Sequence, residues 1–277
     1  MIPDHFFGPR DGALVIGHRG AAAAAPENTL PSLRRAVEDG ADAVEFDLRA
    51  TLDRRLVVIH DETVDRTTDG SGRVAETTLE ELRELDAGHA FTTDRGASHP
   101  FRGRGVRIPT LEEALDALDG RPAVVELKSE AAGRSLATWL EDRPDAAERV
   151  LVGGFEPEAA GPPSRLARWR GAWQDELVPY VLLGKVGLAG LAAPDADALM
   201  VPERKGLVRI VTRRFVDRAH RDGLGVHVWT VNRPDRMRAL LEMGVDGLLS
   251  DAPARVRRIL EERAARGQPA DGVEANA

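Results

Sequence analysis

Short apolar runs alternate along the chain with stretches whose apolar residues recur at helical spacing. The runs are three to six residues long, as buried strands are, and they lie at 13–16, 43–48, 56–59, 123–127, 150–155, 198–201, 225–229 and 247–249. Helical spacing is clearest in three sets: Leu30, Leu33 and Val37; Leu111, Leu115 and Leu118; and Met237, Leu240 and Leu241. This alternation predicts a series of parallel strand–helix units.

The number of these units and the chain length together favour one architecture. A right-handed succession of about eight units closes most economically as a TIM-type (β/α)8 barrel, which takes roughly 250 residues. The pairs Thr78/Glu81 and Thr110/Glu113 fit the capping box that begins a helix. We therefore predict one barrel domain over residues 1–266, with an open doubly wound sheet as the alternative that the local pattern also allows.

Three regions interrupt the alternation. Residues 61–109 are rich in turn-forming residues and predict an insertion or lid on the barrel. Residues 161–197 contain four prolines, and the barrel strand expected there is placed near Tyr180–Leu183. The small polar residues of 267–277 predict a disordered tail.

Composition and charge narrow the possible functions. The 42% hydrophobic fraction is enough for a folded core, and none of the apolar runs approaches the roughly 18 residues of a membrane span. Lysine and arginine total 38 against 46 acidic residues, and the resulting charge of −8 argues against a nucleic-acid partner. Cysteine is absent, which excludes disulfides. The beginning of the sequence lacks a secretory pattern, so we expect a cytoplasmic protein without stable membrane insertion.

Carboxylates on two predicted strands point to one chemical site. In AVEFDLRA, Glu45 and Asp47 are two residues apart and therefore lie on the same face of a strand. AVVELK repeats this spacing with Glu126 and Lys128. Three carboxylates without cysteine favour Mg²⁺ or Ca²⁺ as a bound cation. A buried ion network, in which Lys128 pairs with Glu126 or Asp47, fits the spacing equally well.

Two histidines directly follow predicted strands. His18 and His60 therefore lie where a barrel collects its active-site groups, and finding two at equivalent positions favours catalysis over a role in core packing. Arg19 offers a planar fork of donors suited to a phosphate or a carboxylate. In the PENT segment, Asn28 or Thr29 is expected to cap the first helix.

Eight short motifs together resemble the glycerophosphodiester phosphodiesterase family. Each is weak alone, but their order and spacing over about residues 14–258 are specific. They are HRG at His18–Gly20, PENT at Pro26–Thr29, EFD at Glu45–Asp47, HDETVDRTTDGSG from His60, IPTLEEAL from Ile108, ELK at Glu126–Lys128, WTVN at Trp229–Asn232 and GVDGLLSD from Gly244.

The resemblance implies a TIM-type barrel with a small insertion after the HD motif, one divalent cation, and cleavage of glycerophosphodiesters to glycerol 3-phosphate and an alcohol. It also implies three sets of site residues: the metal ligands Glu45, Asp47 and Glu126, the acid–base pair His18 and His60, and the substrate-binding residues Arg19, Lys128 and Trp229. The substrate is then a small molecule.

The sequence departs from the family pattern at two places that bear on substrate contacts. The family often has an aromatic residue between HRG and PENT, where this chain has Ala21–Ala25, and a serine where this chain has Gly154 before Phe155. Two alternative functions remain open. One is a lysophospholipase D, which shares the chemistry and differs in the leaving group; the other is a non-catalytic barrel that binds phosphodiesters, which predicts the loss of a ligand or a histidine.

Overall fold

The structure, a computed structural model, describes residues 2–154, 157–185 and 189–266. Its strands are β1 (Leu14–His18), β2 (Ala43–Ala50), β3 (Leu56–Val58), β4 (Ala123–Leu127), β5 (Val150–Gly154), β6 (Trp169–Arg170), β7 (Ala198–Pro202), β8 (Arg204–Lys205), β9 (Val208–Arg209), β10 (Gly225–Trp229) and β11 (Gly247–Ser250). Its α-helices are α1 (Leu30–Glu38), α2 (Leu79–Arg83), α3 (Leu111–Ala117), α4 (Glu130–Glu141), α5 (Pro144–Ala147), α6 (Pro157–Ser164), α7 (Gln174–Gly184), α8 (Arg213–Arg221), α9 (Pro234–Glu242) and α10 (Pro253–Ala265), with 3₁₀ turns at Val74–Glu76 and Ala189–Ala192.

Eight of these strands form a parallel barrel. Their order is β6-β5-β4-β2-β1-β11-β10-β7, and each neighbouring pair is parallel. A parallel bridge between Gly171, just after β6, and Ala198 of β7 joins the two ends of this path. The predicted TIM-type barrel is confirmed, and the open sheet is excluded.

Two strand predictions are wrong in detail. The run at 56–59 is not a barrel strand, because β3 pairs antiparallel with β2 and lies off the barrel path. Tyr180–Leu183 lies in α7, and the barrel strand of that region is the two-residue β6. Phe155, in the predicted fifth run, and the predicted tail at 267–277 lie outside the described residues.

The barrel interior is apolar near the amino ends of the strands. Side chains that alternate inward along each strand pack together there, and the cluster consists of Phe7, Leu14, Ile16, Ala43, Val124, Leu151, Trp169, Ala198 and Leu249. A larger apolar layer fills the space between the barrel and its helices. Further along the same strands, inward positions become charged or polar, which places the chemistry at the carboxyl ends.

A segment before β1 closes the amino end of the barrel. Phe7 is fully buried, and its ring packs edge-on against Trp169 at a centroid distance of 5.2 Å. Its carbonyl accepts a hydrogen bond from Nε2 of the buried His227 at 2.8 Å. At Gly225 a Cβ atom would lie 2.0 Å from the Phe7 carbonyl oxygen, so only glycine allows this close approach.

Residues 61–109, the predicted insertion, lie between β3 and α3 and share a small apolar core with β3. Apolar side chains of β3 and the insertion pack together, namely Val57, Ile59, Val64, Val74, Leu82, Ala87, Val106 and Ile108. The predicted capping boxes at Thr78 and Thr110 are both present and begin α2 and α3. Within the described part of the chain, no helix has the length and apolar character that crossing a membrane requires.

Candidate active site

The strand register brings the predicted chemical groups to one end of the barrel. His18 at the end of β1 lies beside Glu45 of β2, and Asp47, two residues further along β2, lies beside Glu126 of β4. Lys128 directly follows β4. Since these strands are parallel, their carboxyl ends meet on one side of the barrel.

Three carboxylates form a tight cluster there. Glu45, Asp47 and Glu126 each offer an oxygen, and these oxygens lie within 4.8 Å of one another. Two permanent cations contact the cluster. The Nζ atom of Lys128 hydrogen-bonds to Glu126 Oε1 and lies 3.0 Å from Asp47 Oδ1, while Arg19 Nε lies 3.2 Å from Asp47 Oδ2. The sequence spacing allowed either a buried ion network or a cluster of carboxylates. The structure contains both, since Lys128 pairs with Glu126 and Asp47 within the cluster.

Lys128 and Arg19 form their ion pairs with Asp47 and Glu126, so Glu45 is the carboxylate of the cluster whose charge they compensate least. Its Oε2 accepts a hydrogen bond from the Arg19 backbone at 2.9 Å, but its buried Oε1 has no hydrogen-bond partner among the described residues. Burial, together with the charge of Asp47, raises the pKa of Glu45 to about 8. Three close carboxylates with one such oxygen fit a hard divalent cation, which would both coordinate the oxygen and relieve the repulsion.

The HRG turn aims a backbone N–H group at this cluster. Arg19 has φ 51° and Gly20 has φ 87°, so the chain passes through the left-handed region at two successive residues. A Cβ atom on Gly20 would lie 2.4 Å from the Ser32 hydroxyl oxygen, which excludes larger residues. A non-glycine residue in this region is strained, and such strain is common at functional sites. The strained residue Arg19 is also the residue whose backbone N–H donates to Glu45.

The capping role predicted for the PENT side chains is wrong. Thr29 occupies the N-cap position of α1, but its hydroxyl donates to the Pro26 carbonyl at 2.6 Å. Asn28, with φ 57°, instead forms two hydrogen bonds with Asp47: Nδ2 donates to Oδ2 at 2.8 Å, and Oδ1 accepts from the backbone N–H at 3.3 Å. Asn28 therefore orients a carboxylate of the cluster.

His18 is held by a carboxylate that the sequence analysis did not single out. Its Nδ1 lies 2.7 Å from Asp251 Oδ1, and Asn232 donates to the other oxygen of Asp251. Burial alone would lower the pKa of His18, but the hydrogen bond to Asp251 and the charge of Glu45 outweigh it, and the pKa is raised. Because a carboxylate can only accept, the proton sits on Nδ1, and Nε2 is the atom left for proton transfer.

His60 also has a carboxylate next to its Nδ1 atom, although an antiparallel strand outside the barrel carries it to the site. It follows the antiparallel β3, which returns alongside β2, and Arg49 of β2 donates to the His60 carbonyl at 2.9 Å. The Nδ1 atom lies 2.6 Å from Asp61 Oδ1. His60 therefore also leaves Nε2 as its second ring nitrogen for chemistry.

Trp229 and a cavity complete the surroundings. Trp229 ends β10 opposite Pro202, is partly exposed, and packs against the apolar cluster of the barrel interior. A cavity of about 310 Å³ lies between the loop that follows HRG and the insertion. Its walls include Ala22, Pro26, Glu27, Arg66, Ala90 and Phe91.

All eight predicted site residues thus lie toward the same end of the barrel: six are at or directly after the ends of β1, β3, β4 and β10, and Glu45 and Asp47 lie within β2 beside the ends of β1 and β4. The sequence analysis missed the residues that hold them, which are Glu27, Asn28, Asp61, Arg66, Asn232 and Asp251. Each of these lies inside a motif that carries the family resemblance, so the signal was present without an assigned role.

Fold and site together define a TIM-barrel protein with a charged pocket of the kind that enzymes of this fold carry at the carboxyl end of the barrel. The model of the Glycerophosphoryl diester phosphodiesterase family matches residues 18–255. The chain belongs to that family.

Similar proteins agree with this assignment. A Glycerophosphodiester phosphodiesterase of Caldanaerobacter subterraneus subsp. tengcongensis is 34% identical over 250 residues, which cover 87% of this chain and 94% of that protein. Among solved structures, a putative glycerophosphoryl diester phosphodiesterase from Silicibacter pomeroyi has a TM-score of 0.74 at 28% identity and covers 94% of this chain and 97% of its own. An Oleispira antarctica phosphodiesterase in complex with the product sn-glycerol-3-phosphate has a TM-score of 0.69 at 27% identity, with coverages of 89% and 96%.

Proposed function

We propose that this protein hydrolyses glycerophosphodiesters to glycerol 3-phosphate and an alcohol, with a divalent cation and with two histidines as acid and base. One observation carries the proposal: His18 and His60 each have a carboxylate on Nδ1, and both lie at the barrel end that holds the carboxylate cluster. The family membership and the product-bound relative from Oleispira antarctica support the substrate class.

Glu45, Asp47 and Glu126 would hold the cation, either Mg²⁺ or Ca²⁺, because their oxygens are close together and hard. When bound, such a cation polarises a phosphoryl oxygen and stabilises added negative charge. Arg19 and Lys128, which already contact Asp47, would bind the phosphate beside it. Trp229 would line the pocket for the glycerol moiety.

The histidines would move the protons. One Nε2 atom would take a proton from the attacking hydroxyl, and the other would give a proton to the departing alcohol. The 2-hydroxyl of glycerol lies beside the phosphorus, and a neighbouring nucleophile can reach an effective molarity of ~10⁵ M or more. Intramolecular attack is therefore the preferred first step: the new O–P bond forms, the bond to the alcohol breaks, and water then opens the 1,2-cyclic phosphate.

The cavity beside the site offers a place for the leaving alcohol. Ala22 lies in its wall, at the segment where the family often has an aromatic residue, so the small side chain leaves space there. Glu27 and Arg66 pair with each other in the wall and offset each other's charge. This surface suits an uncharged alcohol.

The test is product analysis with glycerophosphocholine, glycerophosphoethanolamine and glycerophosphoglycerol, followed by phosphorus NMR. We expect glycerol 3-phosphate, loss of turnover with a chelator, and recovery with added Mg²⁺ or Ca²⁺. His18→Ala and His60→Ala should each lower kcat by ~10² to 10⁴ with unchanged circular dichroism. A folded parent protein that cleaves none of the three substrates, with either cation, would disprove the proposed activity.

Cation binding can be measured without turnover. Ligands that bind only the folded state raise its stability, so Mg²⁺ or Ca²⁺ should raise the melting temperature of the parent protein. The increase should be largely lost in Glu45→Gln and retained in Glu80→Gln, which alters an exposed carboxylate of α2. An equal increase in all three proteins would place the cation elsewhere.

The neighbouring-hydroxyl route has a separate test. A 2-deoxy analogue of the best substrate, at saturating concentration, should turn over far more slowly than the substrate itself, and the cyclic phosphate should be detectable by phosphorus NMR. Equal turnover of the two compounds would exclude the route and favour direct attack by water.

A further inference from the structure

We infer that Arg66, an insertion residue outside the predicted site, is a positioning residue that holds His60 in place for proton transfer. The inference rests on the proposed function, since it assigns His60 a proton to move. Arg66 contacts two carboxylates from different parts of the chain. Its Nη1 and Nη2 donate to the two oxygens of Glu27 at 2.7 and 2.8 Å, and its Nε donates to Asp61 Oδ2 at 2.5 Å.

Both carboxylates continue into the site. Asp61 uses its other oxygen to hold His60 Nδ1 at 2.6 Å, and Glu27 accepts from Arg19 Nη1 at 2.7 Å. Arg66 is therefore the link between the phosphate-binding arginine and one of the two histidines. Glu27 lies in the loop that follows β1 and Arg66 lies in the insertion, so their hydrogen bonds connect two segments that are 39 positions apart in sequence.

The electrostatics agree with a fixed network. The hydrogen bond from Arg66, outweighing a partial desolvation, lowers the pKa of Asp61 to about 2. Burial would raise the pKa of Glu27, but Arg66 and Arg19 lower it to about 2. Both carboxylates therefore stay charged at neutral pH and remain acceptors for their partners.

The effect of Arg66 should fall mainly on His60. Arg19 has a second anchor, because its Nε also contacts Asp47 at 3.2 Å, so it stays in place when Glu27 is loosened. The His60 ring, in contrast, is held by Asp61, while the hydrogen bond from Arg49 acts on the His60 backbone carbonyl. Loss of Arg66 should thus change kcat more than KM.

A purely structural role for Arg66 is a poor explanation of this geometry. Its side chain is 48% exposed, and ion pairs at such positions contribute little to stability. The backbone around it is held independently, since the flanking Val64 and Thr68 are buried and Thr68 hydrogen-bonds to the Val64 carbonyl. Replacing the Arg66 side chain should therefore leave the insertion folded.

The chain offers a matched control. Arg73 lies in the same insertion, is 49% exposed, and also pairs with two carboxylates, Glu62 and Glu76. Among the described residues, no hydrogen bond or ion pair joins either carboxylate to a residue of the proposed site. The comparison of Arg66→Met with Arg73→Met therefore separates positioning of the site from the general loss of an exposed arginine.

We expect Arg66→Met to lower kcat by about 10- to 100-fold, the scale of a small misplacement of a catalytic group, and to change KM by a smaller factor than kcat. Its melting temperature should match that of Arg73→Met, whose kcat should stay near the parent value. Arg66→Lys should be intermediate, because an ammonium group keeps the charge but lacks the planar fork whose three nitrogens reach the two carboxylates. In the double variant Arg66→Met/Asp61→Asn, kcat should fall no further than in Asp61→Asn alone.

A second measurement does not depend on turnover. Nitrogen-15 NMR of the imidazole rings should show a changed tautomer balance for His60 in Arg66→Met and in Asp61→Asn, but not in Arg73→Met. An inactive parent protein would refute the proposed function, and this spectrum would still decide whether Arg66 positions His60. Equal kcat in the Met variants at 66 and 73, additive losses in the double variant, or an unchanged His60 spectrum would each overturn the inference.

Discussion

At the scale of single residues, one of the two proposed proton-transfer groups, His18, depends on a side chain that is distant in sequence, whereas His60 is held by its neighbour Asp61. His18 from the first strand is held by Asp251, which follows the last strand, and Asp251 is held in turn by Asn232. Motif spacing could identify His18, because it follows a strand directly. It could not identify Asp251 as the partner, because 233 positions of sequence separate the two and only barrel closure brings β1 beside β11.

Asp251→Asn should test this dependence. Asparagine keeps the shape, but an NH₂ group replaces one of the two oxygens that accept from His18 and from Asn232, so one of these hydrogen bonds is lost. We expect the pKa of His18 to fall, because the hydrogen bond that raises it is lost, and kcat to fall by ~10² or more. Proton NMR titration and steady-state kinetics measure the two effects.

Asp235→Asn is the control, because Asp235 is exposed and pairs with Arg233, and it should change neither the pKa of His18 nor kcat. An unchanged His18 titration in Asp251→Asn would contradict the prediction.

At the scale of elements, strong periodicity was enough to find most strands and helices, and it failed where tertiary contacts decide the structure. The two residues of β6 are too few to show a period, whereas the apolar run at Tyr180–Leu183 resembles a strand but lies in α7. There the fully buried Tyr180 hydrogen-bonds to Asp222, at the end of α8, a contact that no local pattern reveals. The antiparallel direction of β3 was likewise invisible, because an apolar run does not encode its partner's direction.

The two capping boxes allow a comparison between elements. Thr110 is buried and begins α3, which packs Leu111 and Leu115 against the core, while Thr78 is more exposed and begins the five-residue α2. Thr110→Ala should lower the free energy of unfolding by about 1 kcal/mol, and Thr78→Ala by less. Urea denaturation measures both, and kcat should be unchanged in each, since neither residue touches the site. If Thr78→Ala lowered the free energy of unfolding more than Thr110→Ala does, burial would not determine how much each cap stabilises the protein.

At the scale of the whole molecule, Asp246 joins three distant parts of the chain. It is buried just before β11 and accepts from the backbone of Arg10 and of Val226 and from His220 Nε2. The hydrogen bond to Asp246 raises the pKa of His220 above 6.5, and the charge of Asp217 adds to the effect. The protonated histidine therefore stabilises the folded state.

The sign of the resulting pH dependence follows from linkage. A raised histidine pKa contributes stability that is fully present below the unfolded pKa of about 6.5 and is lost as the pH rises through the folded value. The parent protein should therefore exceed His220→Gln in free energy of unfolding by about 1 kcal/mol at pH 5.5, and the difference should shrink as the solution becomes alkaline. If the difference in free energy of unfolding between the parent and His220→Gln grew as the pH rose, protonated His220 would not be the stabilising form.

The closure of the barrel's amino end by Phe7, Trp169 and His227 matters for using the protein on a solid support. An attachment point introduced near Ile2 would emerge on the side opposite the carboxylate cluster, because that segment leads into the closed end. Molecules tethered there would all present their open end to the surrounding liquid. Surface-bound catalyst should then retain nearly the specific rate of the free protein, whereas coupling through Lys128 would block the opening itself.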